Sequence, residues 1–395
     1  MRTKRHVSER ARSTSPPAVA RMIEKARRLE AKGARLTHLL RGEPDFNTPG
    51  HICEASIKAL QEGETHYPPP QGVSGLRRAV ARRMQRDFGI DPDPDREVMV
   101  TSGATMGLYI AIQAVIESGD EVLLFDPIYD PYPTIVRAAG GIPIRIPAEA
   151  IGGHFSVQSR DIESCISSRT KAILINNPWN PTGSVLRSSE LNDLVNLAED
   201  RDLVLISDEI YEMIVFGPHR HLNLASLSTE GYARTITVNS FSKTYAMTGW
   251  RLGYNIAPEE LTIAMLRVAQ QFSRSAATFV QLAGVAALEG PQDCVTSMVD
   301  TYARRRELVS AVLSDLGSSV FYPPEGTFFV FVDIRPFGLD SQDMADYLLK
   351  QANVVCVPGD AYGPGGEGYI RLSFAYSEAT LQRGLTAVVE ALGDL

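Results

Sequence analysis

The sequence has little cysteine. Only four of its 395 residues are cysteines, and no two of them have the C-x-x-C spacing of a zinc site. Their wide separation also argues against a disulfide framework. We therefore expect no bound metal and a reducing compartment, the cytoplasm. The four are Cys53, Cys165, Cys294 and Cys356.

The chain also lacks an excess of basic charge. Its formal net charge is −8, which argues against a nucleic-acid partner, because nucleic-acid surfaces are normally basic. No apolar run approaches the length needed to span a membrane. The basic start, MRTKRH, leads into polar sequence rather than the apolar core of a secretory signal. Neither a nucleic acid nor a membrane is expected as a partner.

Between residues 75 and 290, short apolar runs alternate with helical stretches. This pattern is typical of an α/β fold in which helices sandwich a mainly parallel sheet, with ligand sites at the carboxyl ends of the strands. No G-x-G-x-x-G motif follows the early runs, which disfavours a dinucleotide-binding enzyme. The runs are EVMVTSG, EVLLFDP, KAILINNP, DLVLISDE and TITVNSFSK.

The pattern changes near residue 290 and predicts a second, smaller α+β domain. A helix is expected over 293–316, then a hairpin-like GTFFVFVDI, a helix over 341–351, and strands in NVVCVPG and YIRLSFA. Near the start, a helix is expected from about 17 to 32, closing at Gly33. The predicted division is an N-terminal arm over 1–15, a small domain formed by 16–45 and 290–395, and a large domain over 46–289.

Lys243 is the candidate nucleophile. It lies between hydroxyl residues at the end of an apolar run, in SFSKTYAMTGWRLGY. A buried lysine can lose its proton and form an imine with an aldehyde, whereas an exposed lysine remains a solvated cation. Taken alone, such a lysine is more often structural, so the assignment depends on the motifs around it.

A phosphate site is predicted in TSGATMG, residues 101–107, between a strand and a helix. Backbone N–H groups at a helix N-terminus bind phosphate, and small residues let the ligand approach. Gly103, Ala104 and Thr105 would surround the phosphate. Helix capping by Thr101 or Ser102 explains the same residues structurally.

Asp208 and Asn180 are candidate ligands of an aromatic ring. Asp208, in SDEIY, follows a buried run and needs a cationic partner, for which a protonated pyridine nitrogen is suitable. Tyr211 and the amide of Asn180, held between prolines in NPWNPTG, could both contact a phenolic oxygen on that ring. A helix N-cap at Asp208 and a plain turn at Asn180 are the structural alternatives.

These motifs resemble those of a known family. SGAT, NPWNPTG, SDEIY, SFSK followed by WR, and YIRLSFA stand in the order and spacing of the class I/II aminotransferases of fold type I. The resemblance spans nearly the whole chain. It implies a pyridoxal 5′-phosphate (PLP) enzyme that moves an amino group from an L-α-amino acid to a 2-oxo acid by a ping-pong mechanism, with 2-oxoglutarate or a similar acid as acceptor.

The resemblance also assigns roles to residues. Lys243 would hold PLP as a Schiff base and carry the proton in the 1,3-shift, while Asp208 would pair with the pyridinium. Asn180 and Tyr211 would bind the ring oxygen, and Tyr129 in DPIYDPY would stack on the ring. Arg371 and the backbone of Gly42 would bind the substrate α-carboxylate. The phosphate would be bound by Gly103, Ala104, Thr105, Ser240, Ser242 and Arg251.

Tyr67, in THYPPPQG, resembles the tyrosine that reaches the neighbouring subunit's phosphate, which implies a homodimer with shared sites. The segment SRSAAT departs from the family, since Ala276 and Ala277 replace a common Asn-Pro pair. The local contacts with a partner subunit are therefore open.

Two alternative functions and the choice of substrate are weighed at this stage. A PLP-dependent lyase or decarboxylating enzyme would need the same lysine, aspartate and arginine, although MTGWR and RGEPDF look more like transaminases. A PLP-binding regulator is disfavoured because about 40 residues before RGEPDF leave no room for a DNA-binding domain. Substrate choice is undecided: Arg41 or Arg274 could select an acidic side chain, and Tyr109, Tyr129 and Phe328 could line an apolar pocket.

Overall fold

A computed structural model describes residues 6–8, 12, 18–317 and 320–395. Most of the arm predicted over residues 1–15 lies outside the described residues. The helix predicted over 17–32 is present as α1, Ala18–Glu30. Gly33 follows it with a φ of 95°, a left-handed conformation that glycine adopts without strain. In the part of the chain that the structure describes, no helix is long and apolar enough to cross a membrane.

Helices and strands alternate over the middle of the chain. The helices are α2 Gly50–Gln61, α3 Ser74–Phe88, α4 Ala104–Val115, α5 Pro131–Ala138, α6 Ser159–Cys165, α7 Ser188–Asp200, α8 Thr229–Arg234, α9 Phe241–Thr244, α10 Glu259–Phe272 and α11 Thr278–Glu289. The strands are β1 Thr37–His38, β2 Val98–Thr101, β3 Glu121–Asp126, β4 Ile142–Pro147, β5 Glu149–Ile151, β6 His154–Ser156, β7 Thr170–Asn176, β8 Val204–Asp208, β9 Thr235–Ser240 and β10 Gly253–Ile256.

Seven of these strands form the central sheet, in the order β2-β10-β9-β8-β7-β3-β4. The five apolar runs of the sequence are all strands of this sheet, and β3, β4, β7, β8 and β9 pair in parallel. Strand β10 is antiparallel to both β2 and β9. Apolar clusters cover both faces of the sheet, as expected for a sheet between helices. The α/β fold with a mainly parallel sheet is confirmed.

The last hundred residues contribute a three-stranded sheet, one strand of a separate two-stranded sheet, and their own helices. The helices are α12 Asp293–Leu313, α13 Ser341–Gln351 and α14 Glu378–Gly393, and the strands are β11 Phe329–Asp333, β12 Val354–Val355, β13 Val357–Pro358 and β14 Tyr369–Ser373. The hairpin-like reading of GTFFVFVDI was wrong. Strand β11 pairs antiparallel with β14, far along the chain, and apolar side chains of both strands join one core cluster.

The start of the chain joins this smaller unit. Strand β1 pairs in parallel with β12, with Thr37 opposite Val354, and α1 packs on β12 and β13. This pairing places the segment around Gly42, which follows β1, next to the carboxyl ends of the central strands. The exact domain boundaries stay a prediction.

Candidate active site

Two adjoining cavities lie at the carboxyl ends of the central strands. The larger has a volume of about 790 Å³ and the smaller about 260 Å³. Lys243, Asp208, Tyr129 and Gly42 line both of them. The larger cavity is also lined by Ala104, Thr105, Ser240, Ser242 and Arg251. The smaller cavity is also lined by Asn180, Tyr211 and Arg371.

Lys243 reaches this space from α9, the single turn that follows β9. Its Nζ donates a 2.5 Å hydrogen bond to the carbonyl oxygen of Gly42 and lies 5.8 Å from the ring centres of Tyr211 and Phe328. Burial lowers the pKa of the amine from 10.5 to about 8; Glu43 raises it, and Arg371 lowers it further. About a tenth of such an amine is uncharged at pH 7, compared with roughly one in 3,000 for an ordinary lysine, and the uncharged form is the nucleophile.

The lowered pKa predicts how Lys243 reacts in the cofactor-free protein. Only the uncharged amine attacks an acylating reagent, so modification of Lys243 is expected to rise with pH and reach half its maximal rate near pH 8, whereas an ordinary lysine requires a pH near 10.5. Mass spectrometry of peptides after brief labelling measures this at each pH. The exposed Lys171 is the control, and identical profiles for the two lysines would contradict the prediction.

Asp208 ends β8 and is 1% exposed. The Tyr132 hydroxyl donates to its Oδ2 at 2.7 Å, and the backbone N–H of Ile210 donates to its Oδ1 at 3.3 Å. Both donors are neutral. Burial therefore raises the pKa of Asp208 to about 6, although the Tyr132 bond lowers it. A cation placed in the cavity would stabilise the ionised form.

Sequence reasoning missed Tyr132. It belongs to the same DPIYDPY segment as Tyr129, and it lies in the first turn of α5 with its ring buried. The edge of one ring packs on the face of the other, with 5.5 Å between the centres of Tyr129 and Tyr132. The spacing of three residues on a helical turn was a usable signal, since it places both rings on one side of the segment.

Arg371 lies on β14 with 3% of its surface exposed. Its Nη1 donates to Asn180 Oδ1 at 3.0 Å, and its Nη2 donates to the carbonyl oxygen of Leu40 at 3.1 Å. The guanidinium stacks 3.9 Å from the ring centre of Phe329, and its Nε has no hydrogen-bond partner among the described residues. A planar donor held in this way is ready for a carboxylate.

Asn180 is positioned by a second asparagine that sequence reasoning also missed. Asn176, the last residue of β7, accepts the backbone N–H of Asn180 at 2.8 Å. Its own Nδ2 donates to the carbonyl oxygen of Asp208 at 2.9 Å. The side chain of Asn176 therefore connects the ends of β7 and β8 and fixes the distance between Asn180 and Asp208.

The predicted phosphate loop packs against Arg251. Gly103 precedes α4 with φ 83° and ψ 164°, and a Cβ there would lie 2.6 Å from Nη2 of Arg251. Across from it, Ser240 Oγ donates to Ser242 Oγ at 2.8 Å. Backbone N–H groups of the helix start, two hydroxyls and a guanidinium thus surround one end of the larger cavity, which is the composition of an anion site.

Replacing Gly103 with alanine is expected to lower the free energy of unfolding by about 1–3 kcal/mol, because its backbone region is essentially restricted to glycine. The guanidinium of Arg251 must also shift. Chemical denaturation measures the change. Gly119 is the matched control, since its φ is 95° and a Cβ there meets no atom within 4 Å. Equal losses in the two variants would mean that the Arg251 contact contributes nothing.

Tyr67 lines neither of the two cavities that contain Lys243. Its side chain is 81% exposed, and the guanidinium of Arg274 lies 5.1 Å from its ring centre. Both residues line a separate cavity with Ala276 and Ala277. The prediction that Tyr67 serves a neighbouring subunit stays a prediction.

The SDEIY segment is fixed by buried acids on its other side. Glu209 accepts from Ser207 Oγ at 2.8 Å and from Asn223 Nδ2 at 2.7 Å, and it pairs with His221 Nε2 at 2.9 Å. The next acid, Glu212, pairs with the buried Arg83. These contacts stabilise the loop between Asp208 and Tyr211, so both side chains are held in place.

The fold and the site together define an enzyme of amino-group chemistry: a half-buried lysine, a buried aspartate and a buried arginine surround one space at the carboxyl ends of a mainly parallel sheet. The chain belongs to the family of class I and II aminotransferases, whose sequence profile matches residues 34–388. It is an aminotransferase, and its substrates are amino acids and 2-oxo acids.

Two relatives cover nearly the whole chain. A probable aspartate/prephenate aminotransferase of Aquifex aeolicus is 37% identical over 98% of this chain and 99% of its own length. The aromatic-amino-acid aminotransferase 2 of Thermococcus litoralis is 36% identical over 98% of both chains. Both relatives are transaminases by name, so the lyase and decarboxylase alternatives lose their support.

The solved structures agree with this placement. The aspartate aminotransferase of Thermus thermophilus with maleate has a TM-score of 0.91 at 36% identity, covering 98% of this chain and 100% of the other. The aromatic aminotransferase of Pyrococcus horikoshii has a TM-score of 0.88 at 36% identity, covering 95% and 99%. The named relatives act on acidic and on aromatic substrates, so family membership alone leaves the substrate open.

Proposed function

We propose that this aminotransferase uses PLP, bound covalently at Lys243, and that it transfers the amino group of an L-α-amino acid by a ping-pong mechanism. The observation that carries the proposal is the shared cavity of Lys243 and Asp208. One is an amine whose pKa is lowered to about 8, and the other is a buried carboxylate whose hydrogen-bond donors are neutral.

The residues present fit PLP at each of its functional groups. When bound, PLP supplies an aldehyde for an amine and a ring that takes up the electrons of the broken Cα–H bond. Asp208 would hold the ring nitrogen protonated, because an ionised carboxylate in a dry site favours a cationic neighbour. Asn180 and Tyr211 would bind the ring oxygen, and Tyr129 would stack on the ring.

The other end of the larger cavity fits the phosphate. Gly103, Ala104 and Thr105 present the N-terminus of α4, and Ser240, Ser242 and Arg251 add two hydroxyls and a positive charge. A side chain at position 103 would meet Arg251, so glycine there keeps the guanidinium close to the helix start. This arrangement favours a dianion by both the helix dipole and direct charge.

Arg371 and the backbone of Gly42 would bind the α-carboxylate of the amino acid. Lys243 lines the same small cavity as Arg371, so its amine is placed to remove the proton from Cα and to return it on the other side of the 1,3-shift. Because donor and acceptor would use the same arginine, the first product must leave before the second substrate binds. This is the physical basis of the ping-pong order.

The proposal includes a cytoplasmic homodimer. Tyr67 is 81% exposed in the single chain, and an aromatic side chain stacked on Arg274 at the surface is typical of an interface. A partner's Tyr67 would complete the phosphate site. The proposed domain division remains a small domain of 16–45 and 290–395 and a large domain of 46–289.

The visible spectrum of the purified holoenzyme tests the proposal. Amino acids from a panel are added singly, and the released products are identified by mass. Loss of the cofactor's visible band together with formation of pyridoxamine phosphate and the matching 2-oxo acid is the expected result. Absence of any PLP from the active enzyme would refute the cofactor assignment, and release of ammonia or carbon dioxide would refute simple transamination.

A further inference from the structure

The larger cavity continues beyond the proposed cofactor residues to a rim formed by α1, the segment around β1, and α14. Three arginines lie on this rim: Arg27, Arg41 and Arg383. Two acids line the cavity near them, Glu30 and Glu43. The rim therefore carries more positive than negative charge. This excess lies in the same cavity as Lys243, where it could attract an anionic substrate.

Both acids already have partners. Glu30 pairs with His38 at 2.8 Å, and Glu43 accepts from Thr248 Oγ1 at 2.9 Å. None of the three arginines forms an ion pair with a carboxylate among the residues that the structure describes. Arg27 and Arg383 are exposed, whereas Arg41 is half-buried. A guanidinium without a carboxylate partner attracts an anion most strongly where solvent is partly excluded. Of the three arginines, Arg41 meets this condition.

Arg41 is held in position by Tyr376. The guanidinium carbon lies 5.0 Å from the centre of the Tyr376 ring, and the tyrosine hydroxyl accepts the backbone N–H of Arg41 at 3.1 Å. Because stacking uses the face of the guanidinium, its N–H edge remains available for an anion. Tyr376 therefore orients Arg41 without neutralising it.

Arg41 and Arg371 occupy different sides of Lys243. Arg371 lines only the smaller cavity and Arg41 only the larger one, while Lys243 and Gly42 line both. The carbonyl of Gly42, the residue after Arg41, contacts the Lys243 amine at 2.5 Å. A substrate with its α-carboxylate on Arg371 and its Cα at Lys243 can extend its side chain toward Arg41.

We propose that Arg41, oriented by Tyr376, binds a carboxylate at the end of the substrate side chain, so that this enzyme prefers dicarboxylic amino acids and oxo acids. The inference rests on the proposed function, because it places the α-carboxylate on Arg371. Arg274, the other arginine suggested by the sequence, stacks on Tyr67 outside this chain's cavity, so it could contact a substrate only in a partner subunit's site, as proposed for Tyr67.

Matched donors and inhibitors test Arg41. Transamination is measured with aspartate against asparagine and glutamate against glutamine, in wild type, Arg41→Gln and Arg41→Lys. Inhibition by glutarate is compared with inhibition by valerate, which has the same chain length and one carboxylate. A charged hydrogen bond corresponds to roughly 10- to 100-fold in binding, so Arg41→Gln is expected to lose that factor for the acidic donor and for glutarate only.

Arg41→Lys should recover part of the loss, because it restores the charge but not the planar donor. Arg28→Gln is the control: Arg28 is on the same helix rim, pairs with Glu24 at 2.9 Å, and should leave all four donors unchanged. Equal losses for acidic and uncharged donors, or a wild-type preference for the uncharged ones, would overturn the proposal. Failure of the proposed function would appear differently, as wild-type enzyme inactive with every donor.

Discussion

Replacing Lys243 with alanine is expected to reduce transamination by at least roughly 10⁴-fold, because the variant loses both the nucleophile and the proton carrier. The amine reaches the cavity from α9, and among the described residues no other lysine lines either cavity. The phosphate residues are untouched, so PLP should remain bound without its covalent link. Steady-state kinetics and the mass of the protein after borohydride reduction measure the two effects.

Lys171→Ala is the matched control, since Lys171 is exposed at the start of β7. It should keep wild-type turnover. Small amines added from solution should restore part of the activity of Lys243→Ala if the missing group is a proton carrier. Normal turnover of Lys243→Ala without added amine would contradict the assignment.

Replacing Asp208 with asparagine is expected to lower kcat by roughly 10²- to 10³-fold, which is typical for the loss of one preorganised electrostatic contact in an active site. Asparagine keeps the shape and can still accept from Tyr132, so the loss reports on the negative charge. The ring nitrogen would no longer be held protonated. Kinetics together with the pH dependence of the bound cofactor's spectrum measure the change.

Tyr132→Phe changes the ionisation of Asp208 without removing its carboxylate. It removes the 2.7 Å hydrogen bond to Asp208 Oδ2 but leaves the carboxylate in place. The pKa of Asp208, already raised by burial to about 6, should then rise further, since a bond that stabilises the ionised form is lost. A smaller activity loss than in Asp208→Asn, largest at low pH, is expected; an equal loss at every pH would mean that the charge of Asp208 is not the relevant property.

Solved structures with the fold of this chain carry names for both acidic and aromatic substrates. The aromatic aminotransferase of Pyrococcus horikoshii and the aspartate aminotransferase of Thermus thermophilus both match the fold of this chain, with TM-scores of 0.88 and 0.91. Because a common fold does not set substrate choice, our proposal assigns the selectivity to side chains on the rim of the larger cavity, such as Arg41 and Tyr376. Arg41 follows β1 and Tyr376 precedes α14, whereas Lys243 lies on α9.

The sequence alone determined five strands of the central sheet, the order of the motifs and the family. Apolar runs of strand length, each followed by polar or glycine-rich residues, predict a parallel sheet because burial on both faces requires continuous apolar sequence. Lys243, Asp208 and Asn180 were predictable for the same reason, since polar residues at the ends of buried strands collect at one edge. The structure brings all three to one space.

Only the tertiary structure decided which distant residues meet. The pairing of β11 with β14, the bond from Tyr132 to Asp208, and the bridge by Asn176 join positions far apart in sequence or facing in directions that local patterns do not specify. The positions of Arg41 and Arg274 are of the same kind. Local sequence does not distinguish the two arginines, and only packing places Arg41 in the cavity that Lys243 lines and Arg274 on the ring of Tyr67, because side-chain direction depends on the whole fold.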